Sequence, residues 1–285
     1  MKLTRNKLVE TLRRKNEGWT TYQARKIARI SVRRVNQVWK AYLTQGQVPE
    51  LRQAGRPAKS IEPWEVQLVK DTYATYRVSA CMLEKVIDRD YQKHIPHNRI
   101  HKILLQEGLA EKGKYMQRKK KYIRYERRHS LTAVHLDWFQ DEVADAWALP
   151  VIDDASRKLL ALVETSNATT DASIQAMKEA LTCGRIRQCI TDHGTQFIKG
   201  PDEASRFDAY LQQCDIQHIL CRIKHPQSNG KSEKFNDLYQ NHRHAFTTKE
   251  AFITWYNDKR PHWSLDTSKL ETPSQAFVRK MRPEG

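Results

Sequence analysis

The chain has 285 residues, enough for two or three domains, and its 50 Lys and Arg outnumber 33 Asp and Glu for a net charge of +17. Seven Trp and eleven Tyr argue against wholesale disorder, and no run is apolar for long enough to span a bilayer. Met1-Lys2-Leu3-Thr4-Arg5 lacks the apolar stretch of a secretory signal, and five scattered cysteines without a Cys-x-x-Cys pair point away from a disulfide framework or zinc knuckle and toward a reducing, intracellular setting.

The charge is unevenly placed. Residues 1–129 hold 31 Lys and Arg against 12 Asp and Glu, a net +19, whereas residues 130–285 hold 19 against 21, a net −2. Double-stranded DNA is the natural partner for the first part, bound through phosphate neutralisation; a merely solvated basic surface is the plainer alternative. The near-neutral second part suits a separate domain that must hold cations on acidic ligands.

In chain order, Thr4 to Arg14 predicts a helix with Leu8, Val9 and Leu12 on one face. Thr20 or Thr21 caps a short helix through Ile27, and Ser31 caps a longer one with an apolar stripe of Val32, Val35, Val38, Trp39 and Tyr42. Two helices joined by a tight turn form a helix-turn-helix pattern, whose second helix enters the major groove. Ser31, Arg33, Arg34 and Gln37 are its candidate DNA contacts. A linker over 49–62 follows, where Arg56 in Gly55-Arg56-Pro57 suits either a minor groove or a plain basic connection.

Helical patterning resumes at Pro63, continues over Ser79 to Asp88, and returns after Pro96 with Ile100, Ile103 and Leu104 inward and Gly108 as a terminator. This region, 63–110, reads as a second helix-turn-helix domain with Asn98, Arg99 and Lys102 as DNA contacts. His94, His97 and His101 lack a cysteine partner for zinc and suit phosphate contact as well. Residues 111–129 are a basic linker; Lys119, Lys120 and Lys121 are its densest charge, with Tyr115, Tyr122 and Tyr125 interleaved for stacking or packing.

The pattern then changes. Leu131 to Phe139, Trp147 to Ile152 and Leu159 to Val163 read as three strands, with Asp153, Asp154 and Ser156 as turn residues. A helix over Thr170 to Leu181, a strand over Ile186 to Ile190, a helix over Ala204 to Leu211, a strand over Ile216 to Leu220 and a helix over Ser228 to His242 follow. This order predicts a mixed five-stranded α/β sheet with helices on both faces, after an all-α front half.

It also gathers Asp137 on the first strand, Asp192 at the end of the fourth and Glu233 in the first turns of the last helix. Such carboxylates repel unless a cation offsets them, and hard oxygen ligands suit two Mg²⁺ or Mn²⁺ ions in phosphodiester chemistry. Asp153, Asp154 and Asp171 read instead as ordinary acids beside turns, each either a cap or facing solvent. Lys231 and Lys234 are phosphate-contact candidates beside Glu233. His135 and His193 flank the two Asp and suit orientation, DNA contact or simple packing.

Three blocks carry a family resemblance: His135-Leu136-Asp137, Thr191-Asp192-His193-Gly194-Thr195-Gln196-Phe197, and His225-Pro226-Gln227-Ser228-Asn229-Gly230-Lys231-Ser232-Glu233-Lys234-Phe235. Trp255-Tyr256-Asn257, Arg260-Pro261-His262, Leu265 and Thr272-Pro273 add a C-terminal signature. The chain resembles insertion-sequence transposases of the retroviral-integrase type. The resemblance implies a ribonuclease H-like catalytic core over 130–245 with a helical extension over 246–285, behind a helix-turn-helix domain over 1–48. It further implies Asp137, Asp192 and Glu233 as catalytic metal ligands, cleavage at element ends followed by strand transfer, and a homo-oligomer of at least two copies on DNA in a prokaryotic, nucleoid-associated setting. A transposon-derived regulator without catalysis and a ribonuclease H-type nuclease are the alternative readings.

Overall fold

The computed structural model describes residues 3–51, 59–111, 126–199, 204–221 and 230–282. The chain divides into two compact units, 1–60 and 61–285. Among the described residues, no helix is long and apolar enough to cross a membrane.

The described residues of the first unit form three helices. Thr4 caps α1 (Arg5–Asn16) by accepting from the Lys7 amide. Thr20 and Gln23 form a reciprocal capping box on α2 (Thr21–Ala28). Arg29, at φ 54°, turns the chain in the left-handed region, and Ser31 caps α3 (Val32–Gln45). Leu8, Leu12 and Val38 form the buried centre, flanked by Trp39, Tyr42, Val48 and Leu51.

The second unit begins with three more helices: α4 (Pro63–Tyr76), α5 (Ala80–Tyr91) and α6 (His97–Gln106). Pro63 occupies the first turn of α4, where a missing N–H costs nothing. Val69, Met82, Leu83, Val86, Ile87, Ile100, Ile103 and Leu104 are buried together, and Leu270 from far down the chain completes the cluster.

A mixed sheet follows, built from β1 (Ala133–Leu136), β2 (Phe139–Asp141), β3 (Ala146–Asp153), β4 (Leu159–Thr165), β5 (Gln188–Thr191) and β6 (Gln217–Leu220). β1 and β2 both pair antiparallel with β3, and Leu136–Val151 and Phe139–Ala148 belong to one register. They are therefore a single strand interrupted at Asp137 and Trp138. Continuing that register sets Pro150 opposite Asp137, and proline has no N–H to give the ladder. The predicted unbroken strand over 131–139 is split for this reason. Counted as one, β1 and β2 leave five strands among the described residues, in the order β4, β3, β1, β5, β6, with β5 and β6 parallel to β1.

Alternate residues of β3 face opposite layers, as the strand period requires. Leu149 and Val151 pack with α7 (Thr170–Leu181), α8 (Arg206–Gln213) and α11 (Pro273–Arg279) through Met177, Phe207, Leu211 and Phe277. Ala148 and Ile152 pack with α9 (Gly230–His242), α10 (Lys249–Thr254) and a π-helical turn (Trp255–Lys259) through Phe235, Tyr239, Phe252 and Tyr256. Each such buried aromatic contributes about 2 kcal/mol of burial. The mixed sheet covered by helices on both faces is thus as the sequence pattern predicts.

The C-terminal signature is structural mortar. Asn257 accepts from the Leu159 amide at 2.9 Å and donates to its carbonyl at 2.8 Å, clamping the first residue of β4. Tyr256 Oη donates to the Arg157 carbonyl at 3.0 Å, and Trp255 Nε1 donates to the Thr75 carbonyl at the end of α4 at 2.9 Å.

Candidate functional site

β1 and β5 are parallel neighbours with His135 level with Ile190. Two residues further on, the same register brings Asp137 level with Asp192 at the carboxyl ends of both strands. β5 and β6 pair Thr191 with Leu220, so the next level joins Asp192 to Cys221. Three side chains thus stand abreast across adjacent strands roughly 5 Å apart. Electrostatics agrees with this placement: the Cys221 thiol is pushed up by burial and then by the negative charges of Asp137 and Asp192. The carboxyl ends of parallel strands are where α/β sheets place ligands.

Asp137 is 8% exposed. Its carboxylate meets the Asn236 side-chain amide of α9 at 3.5 Å. Asp192 is half-buried and accepts the Gly194 amide at 3.0 Å. Gly194 suits this turn because a Cβ there would lie 2.6 Å from Gln196 Oε1 and 3.1 Å from Asp192 Oδ1. A relay backs the strand end. Asp208 at the start of α8 bonds His218 Nδ1, His218 Nε2 lies 2.8 Å from Thr191 Oγ1, and that hydroxyl donates to the Asp192 carbonyl at 2.9 Å.

Glu233 is exposed in the first turn of α9, three residues before Asn236 and so on the same side of the helix. Among the described residues, no three His, Cys, Asp or Glu side chains come together as a metal cluster. The structure therefore sets Asp137 and Asp192 side by side, with Glu233 on the helix that meets Asp137.

Asp153 caps its turn as expected, whereas Asp154 departs from the capping or solvent-facing acid expected at its place. Asp153 accepts from the Leu131 and Ser156 amides and is fully buried. Asp154, 1% exposed, accepts from His135 Nε2 at 2.6 Å, from the Arg127 amide at 2.6 Å and from Lys231 Nζ. Burial opposes its charge, yet these partners hold its carboxyl well below the usual range. Burial lowers His135, against the opposing pull of the Asp154 carboxylate. Asp171 is the ordinary kind, exposed in the first turn of α7 and paired with Arg206.

The expected DNA contacts fall in different settings. Ser31 caps α3, while Arg33, Arg34 and Gln37 lie exposed along it; Arg33 and Gln37 line a shallow groove with Val32, Asn36 and Lys40. Asn98 and Lys102 are exposed on α6, whereas Arg99 donates through Nε to Glu65 Oε1 at 2.7 Å. Lys234 is exposed beside Asp237, and Lys231 is turned inward onto Asp154. Arg56, Lys119, Lys120 and Lys121 lie outside the described residues, as does the block 225–229. Sequence reasoning missed Cys221, Asn236 and Asp154. Cys221 carries no motif and becomes visible only once the β5–β6 register is known.

No protein-family model matches the chain. It is similar to a protein named putative integrase ORF3 from Spiroplasma virus SpV1-C74, 28% identical over 43% of this chain and 39% of that one. It is also similar to an insertion element IS476 protein of 39.2 kDa from Xanthomonas euvesicatoria, 29% identical over 45% of this chain and 40% of its own length. The chain thus spans about two fifths of either relative. The catalytic core domain of BIV integrase, a crystal structure, overlays with a TM-score of 0.41 and 14% identity on 52% of this chain and 93% of its own. The two sequence likenesses thus point to integrases and insertion-element proteins as what the chain is similar to.

Proposed function

We propose, from its relationship to integrases and insertion-element proteins, that the chain binds mobile-element ends and catalyses metal-dependent DNA cleavage and strand transfer. The observation that carries the reading is the level pair Asp137 and Asp192 on adjacent strand ends, with Asn236 of α9, the helix that also bears Glu233, meeting Asp137. Hard carboxylate oxygens on two adjacent strand ends fit Mg²⁺ or Mn²⁺. Asp137 and Asp192 are the ligands such ions would share, and Glu233 would complete the set. When bound, the ions would activate an attacking oxygen and offset the charge of the leaving one.

The protein's own contribution is positioning. Gly194 and the Asp208–His218–Thr191 relay fix the Asp192 turn, and the Asn236 amide steadies Asp137. α3, with Arg33, Arg34 and Gln37 exposed, is the element we assign to the major groove, with Lys234 near the scissile phosphate. The net +19 over residues 1–129 supports phosphate binding with steep salt dependence.

The test is an end-cleavage and strand-transfer assay on duplexes bearing the sequences that flank the coding region, with Mg²⁺ or Mn²⁺. Wild type should cut and join, and Asp192→Asn should lose both while still binding the duplex. Equal activity in the two would sink the assignment. Binding without cleavage by wild type would favour a non-catalytic regulator, and cleavage without joining a simple nuclease.

A further inference from the structure

We propose that Asp154 is a positioning residue that ties the strand bearing Asp137 to the helix bearing Glu233, and that Lys231 serves this tie rather than a DNA phosphate. The inference rests on the metal-dependent reading above and deepens it.

The geometry is specific. One oxygen of Asp154 accepts from His135 Nε2 at 2.6 Å and from Lys231 Nζ; the other accepts the Arg127 amide at 2.6 Å. His135 lies two residues before Asp137 on the same strand, so both side chains face the same side. Lys231 lies two residues before Glu233 in the first turn of α9. Arg127 lies near the end of the basic run over 111–129. A single carboxylate therefore holds three elements, and two of them carry proposed metal ligands.

The side chains fit a tie and not a surface contact. Asp154 and His135 are each 1% exposed and the Lys231 side chain 14%, against 81% for Lys234 three residues on. A lysine that grips phosphate stands in solvent until DNA arrives; Lys231 already has a buried anion. Such a pair is a poor source of net stability, because desolvating both charges offsets most of their attraction. Its value is a fixed geometry, of the kind outer partners give to metal ligands.

The experiment uses the full-length chain and two readouts besides activity. Mn²⁺ binding is measured by calorimetry, and binding to a random-sequence duplex by fluorescence anisotropy across a KCl series. Lys231→Met and Asp154→Asn should each weaken Mn²⁺ about tenfold. Both should leave duplex affinity and its salt slope unchanged, Lys231→Arg should keep most of the Mn²⁺ affinity, and Asp192→Asn should abolish it. Where a single variant folds poorly, the Asp154→Asn/Lys231→Met double variant removes the buried charge; it should recover thermal stability but not Mn²⁺ affinity.

Wild-type Mn²⁺ affinity in Lys231→Met or in the double variant, with Asp192→Asn inactive in binding, overturns the tie and leaves the site standing. A salt slope reduced by about one in Lys231→Met makes it a phosphate contact and also overturns the tie. Undiminished Mn²⁺ binding in Asp192→Asn removes the site reading and the tie with it.

Discussion

The two three-helix regions, α1–α3 and α4–α6, follow nearly the same sequence pattern yet spend their polar side chains differently. α3 leaves Arg33, Arg34, Asn36, Gln37 and Lys40 exposed along one face. In α6, Arg99 is drawn onto Glu65 and His97 lies 2.8 Å from Glu84. The cores differ too. That of α1–α3 is small and closes within the first unit, whereas that of α4–α6 includes Leu270. Helical periodicity reports which side of a helix is buried; it does not report whether the basic residues on the other side are already engaged. The difference leaves α3 as the helix proposed for base contact and gives α6 a part in holding the second unit together.

Core truncation tests this most severely. Leu8→Ala should cost about 3 kcal/mol and depress one calorimetric transition, whereas Met82→Ala should depress a separate transition shared with the sheet. A single common transition moved by both would erase the distinction. Acid should separate the two regions next. Burial, then the nearby charges of Arg260 and Arg77, hold His242 down to about 4. The unfolded chain takes up that proton near the ordinary value of about 6.5. Between those values the unfolded state binds more protons, so stability present above about pH 6.5 is lost as pH falls toward 4, by about 2 kcal/mol after solvent screening. Residues 1–60 contain no histidine, so their transition should barely move over that window.

Arg99→Ala leaves Glu65, 7% exposed, without its guanidinium partner. It should cost about 1–2 kcal/mol of second-unit stability, read in urea, with duplex affinity unchanged. Arg33→Ala is the smallest change and the mirror image. Stability should hold within about 0.5 kcal/mol, while the salt slope of duplex binding falls by about one. Equal binding losses in both variants would collapse the contrast between α3 and α6.

What could be read from the sequence follows the range of the interactions. α7 begins and ends where predicted, at Thr170 and Leu181, because a threonine cap and a local apolar stripe define it. The strands and their order were legible from short apolar runs and turn residues. The break at Asp137 was not, because it depends on Pro150 lying opposite, a pairing that only the hairpin reveals. Asp154 was misjudged for a similar reason. Beside a turn its neighbours in sequence suggest solvent, but its partners lie 19 and 77 residues away. Asp137 and Asp192 stood out because each ends a strand-like run; Cys221 and Asn236 join them only through register and helix packing.

The stitching of the C-terminal segment sets an order on synthesis. Leu270 fills the α4–α6 core, and Ser130, at the entrance to β1, donates to the carbonyls of Phe277 and Lys280 at 2.9 Å. A nascent chain can close α1–α3 as soon as those residues leave the ribosome, since their contacts are local. The second unit must wait until residues near 280 emerge. A ribosome translating this message therefore releases the basic three-helix unit well before the sheet, whose paired carboxylates are locked in place only after residues near 280 have emerged.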